Sequence, residues 1–163
     1  MRIFIYECVS AGGLGRDVPE SLRREGAAML NAVALDFRRL PGVDVVTLAP
    51  ESSAAFADTA GSCDWSLVIA PEFDDHLRGR SQTVLDVGGR LLGSLPAAIR
   101  QTGDKLATAD FWHQRGVPHP KTQALDPANF ASFAPPWVMK PRFGAGSLAT
   151  FLKIGRASCR ERV

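Results

Sequence analysis

The sequence lacks the long apolar segments and the cysteine pairs that mark membrane-spanning and secreted proteins. No apolar run approaches the roughly 18 residues that a membrane-spanning helix needs. The apolar start of the chain is interrupted by Glu7 and has no small-residue cleavage site, so it does not resemble a signal peptide. Three cysteines without paired spacing argue against a disulfide framework. These absences favour a cytoplasmic globular protein, and 163 residues suffice for a core without metal or disulfide support.

Little net charge remains once the end of the chain is set apart. Residues 154–163 resemble the translation of a common sequencing-library adapter, so we expect them to be a non-native tail. The alternative is a natural basic tail that touches phosphates. The tail holds three Arg and one Glu, so the 19 basic and 17 acidic residues of the whole chain become 16 of each. This balance predicts neither a nucleic-acid partner nor a membrane partner.

The first part of the chain alternates between apolar segments and helical patterns. Segments that are apolar throughout or rich in β-branched residues predict strands at 2–9, 43–49, 65–70 and 90–93. Between them, helices are predicted from Pro19 to Leu40, from about residue 51, and between residues 75 and 88. The first of these helices is expected to face the sheet with Leu22, Met29, Leu30, Val33, Phe37 and Leu40. Strands separated by helices predict an α/β fold with a parallel sheet covered on both faces.

A different pattern follows residue 95. Helices are predicted at 96–101 and 104–115, and strands at 137–141 and 148–153. The GVPHP segment at 116–120 cannot remain helical, and residues 126–136 are expected to form a loop.

A lysine in an apolar strand stands directly before a glycine-rich loop. Lys140 must reach solvent or meet a negative partner, because burying an unpaired ammonium group is expensive. Glycines allow consecutive backbone N–H groups to point at phosphate oxygens, although the spacing is not that of a Walker loop. The loop residues expected to contact phosphate are Gly144, Ala145, Gly146 and Ser147. The alternative is an ordinary hairpin with a lysine that faces water.

A second lysine opens a helix 35 residues earlier in the chain. Asp104 precedes Lys105, and the simple interpretation is a helix cap followed by a solvated lysine. The order of the elements gives this lysine a wider context. A parallel α/β region is followed by the helix that begins with Asp-Lys, a stiff exit, the strand lysine and the glycine loop.

This order resembles the ATP-grasp superfamily over nearly all of residues 1–153. The resemblance implies a Rossmann-like pre-ATP-grasp domain at residues 1–95 and the start of an ATP-grasp domain at 96–153, before the tail at 154–163. It also implies that Lys105 and Lys140 contact nucleotide phosphates and that the glycine hairpin closes over the triphosphate.

The front half is similar to a narrower subgroup, which contains the tyramine–glutamate ligase of methanofuran biosynthesis. The segments that carry this similarity are IYE (5–7), GGL (12–14), REG (24–26), ML (29–30) and IAPEF (69–73). They do not fix a substrate.

The family resemblance implies an ATP-dependent carboxylate–amine ligase that works through an acyl phosphate, with small-molecule acid and amine substrates. It implies Mg²⁺ as well, with metal ligands well downstream of the strand lysine. We therefore expect the natural protein to continue past Lys153 and this chain to be inactive by itself. Two alternatives stay open: a non-catalytic nucleotide-binding module, and a Rossmann-type NAD(P)-dependent oxidoreductase that uses the first glycine turn.

Four residues near strand ends are weak candidates for substrate contact. Gly12 and Gly13 follow the first strand, where a tight turn is favoured over a dinucleotide site because the G-x-G-x-x-G spacing is missing. Glu7 and Glu72 could face a substrate amine, with capping or solvent exposure as the alternative.

The remaining reactive side chains point to structural roles. Cys8 and Cys63 are predicted to be core residues, since no basic neighbour activates either thiol. The three histidines have no ligand spacing, so a metal site is not predicted. Phe111 and Trp112 are expected to pack the helix that begins with Asp-Lys.

Overall fold

The structure is a computed structural model that describes residues 1–15, 17–48, 53–126, 134–144 and 149–153, and the backbone of 159–161. The chain divides into two compact units, Met1–Ile99 and Arg100–Val163. No helix in the described part of the chain has the length and apolar character needed to cross a bilayer.

A parallel sheet forms the centre of the first unit. Its strands are β1 (Arg2–Glu7), β2 (Asp44–Thr47) and β3 (Trp65–Ile69), in the order β2-β1-β3. Both neighbours run parallel to β1, with Ile3 opposite Val45 on one side and Trp65 on the other. The predicted parallel sheet is thereby confirmed. The predicted strand at 90–93 is reduced to one bridge, between Ser66 and Leu91.

Helices follow each strand of this sheet. They are α1 (Glu20–Arg38), α2 (Ser53–Gly61) and α3 (His76–Asp86), with a short 3-10 turn at Phe73–Asp75 before α3. A fourth helix, α4 (Pro96–Gly103), contains the boundary between the two units.

The central strand β1 is buried on both faces. Its even-numbered residues Phe4 and Tyr6 pack with Phe56 of α2 and Val84 of α3. The odd-numbered residues Ile3 and Ile5 pack with Ala34 of α1. Because successive side chains of a strand point to opposite faces, the helices cover the sheet on both sides. Cys8 and Cys63 are buried, as predicted.

The predicted apolar stripe of α1 is only partly correct. Leu22, Met29 and Leu40 are 40–50% exposed, whereas Gly26 and Ala34 are the buried positions. The predicted residues that do pack against the sheet are Leu30, Val33 and Phe37. Small residues let the helix axis approach the sheet closely, and their weak apolar signal hides the packed face from a periodicity count.

In its described residues, the second unit contains the end of α4, a further helix and a small antiparallel sheet. The helix α5 (Lys105–Gln114) is followed by β4 (Trp137–Met139), β5 (Phe151–Lys153) and β6 (Cys159–Glu161), in the order β4-β5-β6. Strand β6 belongs to the segment that is expected from the sequence to be a non-native tail. Its backbone nevertheless pairs with β5, since the open edge of a sheet accepts an extended segment of almost any sequence.

Candidate functional site

A cleft of about 1070 Å³ lies within the second unit. Side chains of α5, of the segment after it and of β4 line this cleft. Its volume is slightly above the roughly 300–1,000 Å³ typical of small-molecule sites. The cleft is therefore large enough for a nucleotide-sized ligand.

The cleft is positively charged. Its described lining includes Lys105, Lys121, Lys140 and Arg142, and no Asp or Glu among the residues that the structure describes there. A concave surface of one charge sign concentrates ions of the opposite sign. The favoured ligand is an anion.

The helix α5 begins at this cleft with a side-chain cap. Asp104 Oδ1 accepts hydrogen bonds from the backbone N–H groups of Leu106 and Ala107, both at 3.1 Å. This confirms the cap that the sequence predicts, and it satisfies two N–H groups that have no partner inside the helix.

Arg142, which follows β4 by three residues, binds the same carboxylate. Its Nε lies 2.8 Å from Asp104 Oδ1 and its terminal nitrogen lies 2.6 Å from Oδ2, so the pair is bidentate. The hydrogen bonds from Arg142, helped by those from Ala107 and Leu106, lower the pKa of Asp104 to about 2 despite partial desolvation. Sequence reasoning missed Arg142, although an aspartate and an arginine beside two lysines expected to converge are a signal that could have found it.

Lys105 connects the start of α5 to the beginning of the glycine loop. Its backbone N–H donates to the carbonyl oxygen of Arg142 at 3.1 Å, and its Nζ donates to the carbonyl oxygen of Gly144 at 2.6 Å. Gly144 has a φ of 93°, a conformation that residues with a Cβ rarely adopt. The lysine and the loop are thus in direct contact.

Lys140 is exposed at the end of β4 and lines the same cleft as Lys105. The structure therefore brings the two predicted lysines to one surface. Their role as phosphate ligands stays a prediction, and so does that of Gly144. Ala145, Gly146 and Ser147 lie outside the described residues.

Two aromatic side chains of α5 differ from their expected role. Phe111 and Trp112 are 37% and 41% exposed, so they do not pack the helix into a core. The guanidinium carbon of Arg115 lies over the ring of Phe111, 3.6 Å from the centre of that ring. Trp112 lines the cleft and approaches the ring of His119 at 6.3 Å. The cleft thereby has an aromatic wall in addition to its cations.

In the first unit, Glu7 is sealed inside the protein. It is 1% exposed. Its two carboxylate oxygens accept hydrogen bonds from the backbone N–H groups of Val9 at 3.0 Å and Ser10 at 2.6 Å. The same carboxylate fills the space where a Cβ at Gly26 would lie. Glu7 therefore holds a turn together, which is neither the helix cap nor the solvent exposure expected as the alternative, and a contact of Glu7 with a substrate stays a prediction.

The first glycine turn is explained by its own packing. Gly12 has a φ of 80°, and a Cβ at Gly13 would lie 2.6 Å from Tyr6 Oη and 2.7 Å from Cys8 Sγ. Glu72 is exposed just before the 3-10 turn. The structure thus accounts for both glycines without a ligand, and substrate contact by these three residues stays a prediction.

Comparison with known proteins supports the family resemblance. Residues 28–99 match the family model of the pre ATP-grasp 3 domain. No curated protein matches the chain in sequence.

Two solved structures share the fold of the chain. D-alanine–D-alanine ligase from Bacillus anthracis is 15% identical with a TM-score of 0.71, and the match covers 96% of this chain and 50% of that one. A protein from Archaeoglobus fulgidus assigned to the ATP-grasp superfamily is 24% identical with a TM-score of 0.64, covering 88% of this chain and 47% of that one. The chain spans about half the length of these structures. The family model thus identifies a pre-ATP-grasp domain at residues 28–99, within the first unit, and the solved structures show that the chain shares the α/β fold of the front part of these two proteins.

Proposed function

We propose that the cleft of the second unit binds the phosphates of ATP, and that the parent protein is an ATP-dependent carboxylate–amine ligase. One observation carries this proposal: Lys105 and Lys140 line a single cleft with two further cations, and no acidic side chain joins them among its described lining residues. Ammonium groups neutralise phosphate oxygens through charge-assisted hydrogen bonds.

The ligase chemistry that fits this binding mode has two steps. A substrate carboxylate attacks the γ-phosphorus of ATP, which forms an acyl phosphate and releases ADP. An amine then attacks the carbonyl carbon, phosphate leaves and the nitrogen loses a proton. Lys105 and Lys140 would contribute to the first step by holding the phosphates and offsetting their charge.

Mg²⁺, which the resemblance implies, has no ligand set in the described part of the chain. No group of three or more His, Cys, Asp or Glu side chains that could hold a metal ion occurs among the described residues. The described residues therefore do not fit the metal.

The chain's size supports a further part of the proposal. D-alanine–D-alanine ligase is about twice as long as the segment that it shares with this chain. We propose that the 163-residue chain binds nucleotide without turning it over, and that its parent acts in the cytoplasm on a small acid and a small amine. The similarity to the tyramine–glutamate ligase subgroup stays a prediction.

Equilibrium binding of ATP to the 163-residue chain tests the proposal. Lys105→Gln and Lys140→Gln should each weaken ATP binding about tenfold, since a hydrogen bond to a charged group contributes about 1.5–3 kcal/mol. Arg100→Gln is the matched control, because Arg100 is exposed in the same unit and does not line the cleft. It should bind ATP as the wild type does.

Three outcomes would contradict the proposal. ATP binding that is unchanged in both lysine variants would remove the phosphate site. Binding of NAD(P) in place of ATP would favour the oxidoreductase alternative. ATP-dependent phosphate release by the 163-residue chain, assayed with candidate acids and amines, would contradict its proposed inactivity.

A further inference from the structure

The ion pair between Asp104 and Arg142 joins the two elements that carry the proposed phosphate ligands. Asp104 stands directly before Lys105 at the start of α5, and Arg142 stands two residues after Lys140 and two before Gly144. The pair is bidentate, with both hydrogen bonds at 2.6–2.8 Å. Two parallel hydrogen bonds fix distance and orientation together, which a single contact does not.

The same region contains three further hydrogen bonds, all made by Lys105. The Lys105 backbone N–H donates to the carbonyl oxygen of Arg142, and Nζ donates to the carbonyl oxygens of Gly144 at 2.6 Å and Arg142 at 3.5 Å. The start of α5 and the start of the loop are therefore linked by the Asp104–Arg142 pair, by one backbone bond and by two bonds from the lysine side chain. Of these links, only the ion pair joins two side chains that the proposed phosphate contacts do not use.

The two members of the pair have different relations to the cleft. Arg142 lines it, whereas Asp104 is absent from its described lining and is largely covered, with 14% of its side chain exposed. The carboxylate neutralises the guanidinium, so the net positive charge of the cleft rests on its three lysines. Arg142 is thus held away from the role of an unpaired phosphate ligand.

We propose that Asp104 and Arg142 are positioning residues, which together fix Lys105 and Gly144, the first residue of the glycine loop, for phosphate binding. This inference rests on the proposed function for its purpose, and its geometric part is independent of any nucleotide. The pair acts through its neighbours: Asp104 through the first turn of α5, and Arg142 through the backbone that leads to Gly144.

Competitive labelling of lysines by an amine-reactive reagent, followed by mass spectrometry, tests the geometric part in the 163-residue chain. Asp104→Asn keeps an oxygen that caps α5 but loses the charge that holds Arg142. It should raise the labelling rate of Lys105 about fivefold, because the hydrogen bond from Nζ to Gly144 is weakened. Arg142→Gln should do the same. The rate of Lys121 should not change in either variant.

ATP affinity then tests the purpose of the pair. Asp104→Asn and Arg142→Gln should weaken binding by similar factors, and the double variant should bind no worse than either single one, since both changes break the same link. Arg142→Lys should recover part of the affinity, because an ammonium group still meets the carboxylate without the bidentate geometry. Asp110→Asn is the matched control for charge, as Asp110 influences Arg142 only through space.

Each result separates the two proposals. If the wild type binds no ATP, the proposed function fails, and the labelling still decides whether the pair positions Lys105. If Lys105 labels equally in the wild type and in Asp104→Asn, the positioning role is overturned. If Arg142→Gln weakens ATP binding while Asp104→Asn leaves it unchanged, Arg142 is a direct phosphate ligand and the inference is wrong. If Arg142→Gln fails to fold by circular dichroism, Arg142→Lys and Asp104→Asn carry the same comparison.

Discussion

Two carboxylates, Glu7 in the first unit and Asp104 in the second, do the same local work in different surroundings. Each accepts hydrogen bonds from two backbone N–H groups a few residues downstream, those of Val9 and Ser10 for Glu7 and those of Leu106 and Ala107 for Asp104. Both thereby satisfy backbone donors at a point where regular structure begins or ends.

The two carboxylates differ in what surrounds them. Glu7 is 1% exposed and is packed against Gly26, so its function is completed within the turn. Both carboxylate oxygens of Asp104 also accept hydrogen bonds from Arg142, which links α5 to the loop after β4. A carboxylate at the end of an element therefore has a local structural role when it accepts hydrogen bonds only from the neighbouring backbone. When it also accepts hydrogen bonds from a distant side chain, it links two elements.

Removing the buried carboxylate should have the largest effect on stability. We expect Glu7→Ala to lower the free energy of unfolding by about 3 kcal/mol, because a buried N–H group (Val9) and a half-buried one (Ser10) lose their acceptor at roughly 1–3 kcal/mol each. Urea denaturation measures the loss, and hydrogen exchange of β1 locates it in the first unit.

Two control variants sharpen this prediction. Glu7→Gln should lose about half as much, because its amide oxygen still accepts one of the two hydrogen bonds. Glu72→Ala should stay within about 0.5 kcal/mol of the wild type, since Glu72 is exposed. A Glu7→Ala variant as stable as Glu72→Ala would mean that the turn does not depend on the carboxylate.

Substituting a glycine should also cost more stability in the first unit than in the second, although both effects should be smaller than that of Glu7→Ala. Gly13→Ala should cost about 1–3 kcal/mol, because its Cβ would collide with Tyr6 and Cys8 in the core. Gly144→Ala should cost about 1 kcal/mol, since only its φ of 93° is unfavourable and nothing lies within 4 Å of the added Cβ. Thermal or urea denaturation measures both, and a larger loss for Gly144→Ala would reverse the comparison.

The sequence predicts the fold more fully than it predicts the contacts of the site. Strand β1 and the helices are correctly predicted because apolar runs and caps such as Asp104 are local signals. The packed face of α1 is misjudged, since its buried positions Gly26 and Ala34 carry little apolar signal. The spacing of apolar residues predicts which side chains are hydrophobic enough to be buried. It does not predict which small residues pack against the sheet.

The candidate site divides in the same way. Lys105 and Lys140 are found from their place in the order of elements. The pairing of Arg142 with Asp104 is missed, because the two residues are 38 positions apart and no local pattern joins them. Only the expected convergence of the neighbouring lysines could have suggested it. Trp112 has an apolar side chain that favours burial in any sequence-based prediction, yet it lies on the wall of a cleft.

The acid titration of Asp104 should distinguish it from an ordinary exposed aspartate. Its pKa is lowered from 3.8 to about 2, chiefly by the hydrogen bonds from Arg142. A lowered pKa means that the pair contributes stability fully above about pH 5 and loses that contribution as the pH falls toward 2. NMR titration of the carboxyl carbon measures the pKa. In Arg142→Gln it should rise toward 3.8, and an unchanged value would mean that the backbone N–H groups alone hold it down.

The smallest effect on stability is expected from breaking an exposed ion pair whose carboxylate accepts no hydrogen bond from the backbone in the described structure. Arg39 and Asp36 form one contact of 2.8 Å on the surface of α1, with more than two thirds of each side chain exposed. Asp36→Asn should change the free energy of unfolding by less than about 0.5 kcal/mol, because water competes for both charges and the side chains lose entropy when they pair. Urea denaturation at low and high salt measures it. A loss above 1 kcal/mol would mean that a single exposed contact suffices, and the cooperation of a carboxylate with backbone donors would no longer distinguish Glu7 and Asp104 from other acidic residues.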